Sequence, residues 1–270
     1  MLRSANELIG YGLHAEEKEF GTCQDLLFDD RWWTIRHLVA NTGKWLMGKM
    51  VLVSPMMIRK PDWKTRNILL NITTDQLENC PAPSEDEPVS REHERKMSKH
   101  FGYPLYWAGT GLWGPVTHPG ALSPAEQVPP EAVEAQEQTD GDEDSQNHLR
   151  SVKEVMGYDI QARDGHIGHV EDFILDDVTW ALRHVVVDTR NWLPGGKKVI
   201  LSLDWAKAVS WAKANFKIDL AKDEIKNGPE FDPEKPVNAE YETRLYDYYG
   251  RPFEKTIDKN IQQHIANPFV

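Results

Sequence analysis

Two stretches of the chain alternate apolar and polar residues with the period of a strand, and the chain does this twice. Phe20–Asp29 and Ile167–Asp176 each predict a strand closed by paired aspartates, and Trp33–Ala40 and Trp180–Val187 predict the strand that returns. In the second return strand Trp180, Leu182, His184 and Val186 share one face, and Ala181, Arg183, Val185 and Val187 share the other. Neither face is wholly polar, which suits a small barrel whose outside is partly covered. Gly195-Gly196 supplies a tight turn into Lys197–Leu201. Further short strands are expected near Met56–Ile58 and Arg66–Ile72, and near Trp205–Val209 and Ala214–Leu220. Helical spacing follows each set of strands. One turn is predicted at Asp75–Asn79 and Asp223–Asn227, stopped before Pro81 and Pro229. A longer amphipathic helix capped by Ser90 or Asn238 then runs to about Phe101 or Tyr249.

The parallel between the two sets is a duplication. With an offset of 147, Ser4, Glu7, Gly10, Tyr11, Gly21 and Asp25 recur as Ser151, Glu154, Gly157, Tyr158, Gly168 and Asp172. Asp29-Asp30, Trp33, Arg36-His37, Thr42 and Trp45 recur in the same way. With an offset of 148 the match resumes at Lys49/Lys197 and Ser54/Ser202, and it extends through Trp63/Trp211 to Glu94/Glu242 and Pro104/Pro252. Two long copies describe a duplicated domain rather than a solenoid. Each copy opens on Ser-x-x-Glu, a capping-box pattern over one short turn. The segments divide as 1–82 for the first repeat, 83–104 for its helix, 105–148 for a connector, 149–230 for the second repeat, and 231–270 for its helix and a polar tail.

Charge and composition narrow the function classes. The net charge of −12 argues against a surface built mainly for phosphate or nucleic acid. No run of about 18 apolar residues is present to span a membrane, and the N-terminus lacks the layout of a signal peptide. Cys23 and Cys80 stand opposite Val170 and Gly228 in the other copy, so no shared disulfide framework is expected, and a reducing cytoplasm fits. The connector divides in two. Residues 105–119, LYWAGTGLWGPVTHP, are rich in glycine and aromatics, whereas Ala121–His148 carries eight acidic residues and no Lys or Arg, the composition of a disordered linker.

Candidate chemistry is sparse. His166 and His169 could hint at a metal pair, but positions i and i+3 of a strand face opposite ways and the first copy has Glu19 and Thr22 there. His37 and His184 recur, and a packed histidine with one polar partner is favoured over a catalytic one. Asp29-Asp30 and Asp176-Asp177 lack the ligand spacing of a calcium loop and are expected to form turns. Asp25 and Asp172 are expected to pair with Arg36 and Arg183. Gly195-Gly196-Lys197-Lys198 lacks phosphate-loop spacing, and no G-x-S-x-G is present. Catalytic, cofactor and metal residues are therefore expected to be none. Tyr103, Tyr106, Trp107 and Trp113 are the candidate interaction residues, since tyrosine and tryptophan dominate binding hot spots; packing on their own domain is the favoured alternative.

Gly10-Tyr11, Leu13, Ala15, Phe20-Gly21, Asp25 and Phe28-Asp29-Asp30, followed by Trp33 and Ile35–Val39, resemble the PRC-barrel family, as do their twins in the second copy. Val199–Ser202 and Ile218–Pro229 extend the resemblance, which covers roughly 1–82 and 149–230. It implies a mainly β fold: two small PRC-type β-barrels in tandem, each followed by short helices, packed as a pseudo-dimer through repeated apolar positions (Leu38/Val185, Trp45/Trp192) or the helices. The family's barrels occur in the cytoplasmic part of the photosynthetic reaction-centre H subunit and in a ribosome-maturation factor, where they contact other macromolecules. This chain lacks the H subunit's membrane helix and the factor's separate N-terminal domain, so neither function carries over. The resemblance implies a non-enzymatic, cytoplasmic scaffold that binds a protein partner. A homo-oligomer and peripheral contact with a membrane complex stay open. The alternatives are a small-molecule or ion sensor using a groove between the barrels, and an RNA- or ribosome-associated factor, which the charge disfavours.

Overall fold

The structure is a computed structural model, and it describes residues 1–16, 18–43, 48–81, 89–121, 148–190 and 196–252. The acidic run, Trp45, Trp192 and the polar tail therefore lie outside the described residues. Two seven-stranded sheets make the protein mainly β, and neither strand path closes on itself.

The first sheet is built mostly from copy 1: β2 (Gly12–Ala15), β3 (Lys18–Asp29), β4 (Thr34–Asn41), β5 (Met50–Val53), β6 (Ile58–Asp62) and β7 (Asn67–Leu70). Its order is β5-β4-β3-β2-β7-β6. Copy 2 repeats the order as β12-β11-β10-β9-β14-β13, from β9 (Asp159–Ala162), β10 (Gly165–Asp176), β11 (Leu182–Asp188), β12 (Lys198–Ser202), β13 (Ala206–Ser210) and β14 (Asn215–Ile218). In both sheets the β2–β7 type of pairing is parallel, while its neighbours are antiparallel. Every residue of β11 is buried, so the apolar character of both its faces reflects cover on both.

The seventh strand of each sheet comes from the other copy. β1 (Leu2–Ser4) opens copy 1 yet pairs antiparallel with β10, Leu2 opposite Asp176 and Ser4 opposite Ile174. β8 (Leu149–Ser151) opens copy 2 yet pairs with β3. The compact units accordingly cross the sequence segments. Among the described residues, one comprises Met1–Glu7, Ser151–Asp177 and 181–252; the other comprises Leu8–Arg150 with Val178–Trp180.

Side chains that recur in both copies hold this exchange. Arg3 Nε donates to Asp177 Oδ2 at 3.0 Å, and its twin Arg150 Nε donates to Asp30 Oδ2 at 2.9 Å. The Met1 amino group also reaches Asp177, and His148 Nδ1 lies 3.2 Å from Asp30 Oδ1. The first aspartate of copy 1's pair makes the expected turn, Asp29 Oδ1 accepting from the Arg31 amide at 2.9 Å. The second aspartate of each pair anchors a strand that belongs to the other copy in sequence.

Other recurring residues also serve the fold. The β3–β4 register shifts between Cys23 and Asp25, and the β10–β11 register shifts at the twin positions Val170 and Asp172. At each bulge the aspartate accepts the next backbone amide at 2.7 Å, Leu26 in one copy and Phe173 in the other. Gly21 and Gly168 sit where a Cβ would lie 2.3 Å from Asn41 O and 2.1 Å from Asp188 O, so only glycine fits. Lys49 and Lys197 each donate to the carbonyl after the short helix, Cys80 O at 2.8 Å and Gly228 O at 2.6 Å.

Among the described residues the helices are α1 (Thr74–Glu78), α2 (Arg91–Phe101), α3 (Val152–Val155), α4 (Lys222–Asn227) and α5 (Ala239–Tyr248). Ser90 and Asn238 cap α2 and α5 as expected, accepting from the His93 and Tyr241 amides at 3.2 and 2.9 Å. Gly102 ends α2 at φ +73°. Two expectations shift. Trp33 and Trp180 stand in turns at φ +49° and +61° rather than in the return strands. Pro55–Met57 is a 3₁₀ turn before β6. The short strands β1, β2, β8 and β9 carry no alternation long enough to read.

Candidate functional site

One recurring polar pair in each unit meets at the underside of the long helix. In copy 1, β4 turns His37 inward and α2 turns Glu94 to meet it, His37 Nε2 lying 2.9 Å from Glu94 Oε1. In copy 2, His184 of β11 meets Glu242 of α5 at 3.0 Å. Both histidines are buried, at 2% and 0% exposure. In each pair the Nε2 N–H donates to the carboxylate, which is a packed histidine with one polar partner, and Nδ1 of each ring is buried without a hydrogen-bond partner. Burial pushes the His184 imidazolium down from its usual range, against the opposing pull of Glu242.

The adjacent recurring arginine is treated differently in the two copies. Arg36 does not pair with Asp25, as the sequence suggested, because Asp25 is at the bulge; its Nη2 lies 3.4 Å from Asp29 Oδ2. Its Nη1 donates to Leu112 O at 2.6 Å, and its guanidinium lies 4.1 Å from the Tyr106 ring and 4.9 Å from the Trp113 ring. Arg91 adds a second cation, with Nη1 3.3 Å from Glu94 Oε2 and donating to Tyr106 Oη at 2.5 Å. Copy 1 therefore balances Arg36 and Arg91 against Asp29 and Glu94. Copy 2 has Ala239 where Arg91 stands, and Arg183 Nη2 is 3.6 Å from Glu242 Oε1. Its Asp172 likewise does not pair with Arg183: it accepts from Ser4 Oγ and from the Asn6 amide at 3.0 Å.

The four aromatic candidates are brought together on this cluster. Trp113 is fully buried, and its Nε1 donates to Thr179 O at 2.8 Å. Tyr103 and Tyr106 are buried, and burial raises both phenols well above their ordinary range. Trp107 alone of the four is half-buried, its ring 4.2 Å from the Arg91 guanidinium. In this chain Tyr103, Tyr106 and Trp113 are packed rather than presented, which leaves Trp107 as the accessible member.

Sequence reading missed Arg91, the Leu112 carbonyl and the joining of His37 to Glu94. The last had a signal: His37/His184 and Glu94/Glu242 are both recurring pairs of opposite potential charge, and such pairs are candidates for contact. Among the described residues no group of three or more His, Cys, Asp or Glu is placed to hold a metal ion. His166 lies within 2.9 Å of Asp159. Cys23 and Cys80 are buried free thiols. No described helix is long and apolar enough to cross a membrane. A shallow depression of about 440 Å³ is lined by Asn227, Pro229, Glu230, Arg244 and Tyr248. Neither a scan against protein-family models nor a search of curated proteins finds a match for this chain.

Proposed function

We propose that the chain is a tandem PRC-type protein, two barrel-like repeats fused as a pair, that serves as a non-enzymatic cytoplasmic scaffold for a protein partner. The observation that carries the reading is where the recurring polar residues are spent. Asp30/Asp177, Asp25/Asp172, His37/His184, Glu94/Glu242 and Lys49/Lys197 are committed to anchoring strands, bulges, helices and turns. Mutual exchange of the opening strands is also what fusion of a strand-swapped homodimer leaves behind, because the chain ends are joined while the pairing persists.

The test is affinity capture of the tagged full chain from its native cell, read by mass spectrometry, with wild type beside Trp107→Ala. A partner returned reproducibly by wild type and weakened by Trp107→Ala supports the scaffold and its accessible aromatic. Repeated capture of no specific partner overturns it.

A further inference from the structure

Two pairs of twin residues behave differently in the two copies. In copy 1, Lys96 of α2 is paired with Glu92 at 2.6 Å, and Asn79 Nδ2, at the end of α1, donates to Asp75 O at 2.9 Å. The twins are Arg244 of α5 and Asn227 of α4. Among the described residues Arg244 takes part in no ion pair, and the Asn227 side chain makes no hydrogen bond. Glu240 stands where Glu92 does, one turn before Arg244, yet the guanidinium lies instead 5.2 Å from the Tyr241 ring. Both uncommitted groups line the depression of about 440 Å³, beside Pro229, Glu230 and Tyr248.

The fold fixes the walls of this depression. Leu245 and Tyr246 form the buried face of α5, which leaves Arg244 and Tyr248, one turn apart, on the exposed one. Tyr248 is 43% exposed, and its hydroxyl donates to Glu224 O at 3.1 Å, which ties the ring to α4. Gly228 sits where a Cβ would lie 2.3 Å from Tyr249 Oη, so the two helices approach closely there. The backbone of Glu230 is bridged to Val199, and the Phe231 amide donates to Lys198 O at 2.8 Å, which holds Glu230 at the rim. Its carboxylate makes no ion pair among the described residues, and copy 1 has Ala82 at that position in sequence. One depression therefore carries a cation and an anion that do not neutralise each other, with Pro229 and the Tyr248 ring as apolar wall.

We propose that the depression binds a free α-amino acid with an apolar side chain, its carboxylate taken by Arg244 and the Asn227 amide, its ammonium by Glu230, and its side chain by Pro229 and Tyr248. A guanidinium receives a carboxylate through two parallel N–H donors. Opposite charges facing one concavity match a ligand that carries both, and proline and tyrosine surfaces receive its apolar body. The net charge of −12 also disfavours a ligand that is purely anionic. A shallow site buries only part of a small ligand, so binding at about millimolar concentration is expected. The proposal does not rest on the scaffold reading, and neither outcome below bears on the capture experiment.

The probe is L-phenylalanine, titrated into the isotope-labelled full chain and followed by amide chemical shifts. Saturable shifts are expected at Asn227, Glu230 and Arg244–Tyr248. Arg244→Gln should weaken binding by about tenfold, and so should exchanging the probe for phenethylamine, which lacks the carboxylate, or hydrocinnamate, which lacks the ammonium. Glu230→Gln should abolish the preference for L-phenylalanine over hydrocinnamate. Both variants alter exposed side chains, and the unshifted remainder of the spectrum verifies that they fold. Lys96→Gln, at the twin position in copy 1, should leave the affinity unchanged. No saturable shift at about 10 mM probe, shifts confined to other residues, hydrocinnamate bound as tightly as L-phenylalanine, or an affinity indifferent to Arg244→Gln would each overturn the proposal.

Discussion

Removing the hydroxyl of Ser4 should loosen a strand about 170 residues away in sequence and leave its own repeat intact. Ser4 Oγ accepts the Glu7 amide at 3.1 Å and donates to Asp172, while Ser4 itself pairs with Ile174 in β10. Ser4→Ala removes a helix-type cap, typically about 1 kcal/mol. It also removes a hydrogen bond to a carboxylate, roughly 1.5–3 kcal/mol where the partner is left buried. Asp172 is already pushed above the ordinary carboxylate range by burial, and the Ser4 bond opposes that shift, so its loss falls on a group that is poorly solvated. One hydroxyl makes both contacts and the site is only partly buried, so we expect about 2 kcal/mol. That corresponds to roughly a 30-fold increase in local opening. Hydrogen exchange read by mass spectrometry provides the assay. Peptides over Phe173–Asp177 should exchange faster by about that factor, and peptides over Leu26–Asp30 should not change. Deprotection at Leu26–Asp30 with Phe173–Asp177 unaffected would show that β1 pairs within its own copy, and the exchanged topology would be wrong.

Three further outcomes follow from the same contacts. His184 has its folded-state pKa held below the ordinary histidine value of about 6.5, so the unfolded chain binds its proton first and stability is lost as pH falls through and below that value; urea unfolding at pH 7.5 and 5.5 should show the loss, and His184→Gln should remove much of it. Trp113→Ala empties a fully buried site and strips the Thr179 carbonyl of its donor, which should cost about 3–5 kcal/mol in chemical unfolding; a cost under 1 kcal/mol would contradict the packing. A protease site placed within residues 122–147 and cut in the native protein should leave the two fragments co-eluting on gel filtration, because β1 and β8 each remain paired with a strand of the other fragment; separation without denaturant would count against the exchange.

The long strands and the capped helices were legible because they carry their own local signals. β3 and β10 are long runs ending in paired aspartates, β4 and β11 are largely apolar runs that return from them, and Ser90 and Asn238 mark helix starts through side-chain oxygens that need no distant partner. The exchanged strands were hidden for the opposite reason. Leu2-Arg3-Ser4 and Leu149-Arg150-Ser151 are identical, too short for a pattern, and compatible with either sheet. Ser-x-x-Glu was read as a cap, and it is one at Ser4 and Ser151, but the same serine and the residues before it also make a strand. Asp25 was expected to face Arg36 from a regular strand. The bulge after Cys23 turns its carboxylate onto a backbone amide, and Asp29 takes the arginine instead. The cluster at His37 and Glu94 was visible only as two separate recurrences, since period-based reading gives the face a residue lies on and not which helix covers it.

The identity of those two opening tripeptides has a consequence for synthesis. When copy 1 leaves the ribosome, Leu2–Ser4 can find only β3 of its own copy; its eventual partner, β10, does not exist until residue 176 has been made. β8 later arrives with the same three residues to claim the place on β3. The nascent chain must therefore either hold Leu2–Ser4 unpaired until β10 has been made or form a provisional pairing and give it up. Non-local pairing of this span is slow, and the waiting intermediate leaves the place of β8 on β3 unfilled. The order in which the sheets can be completed thus runs against the order in which the strands are made.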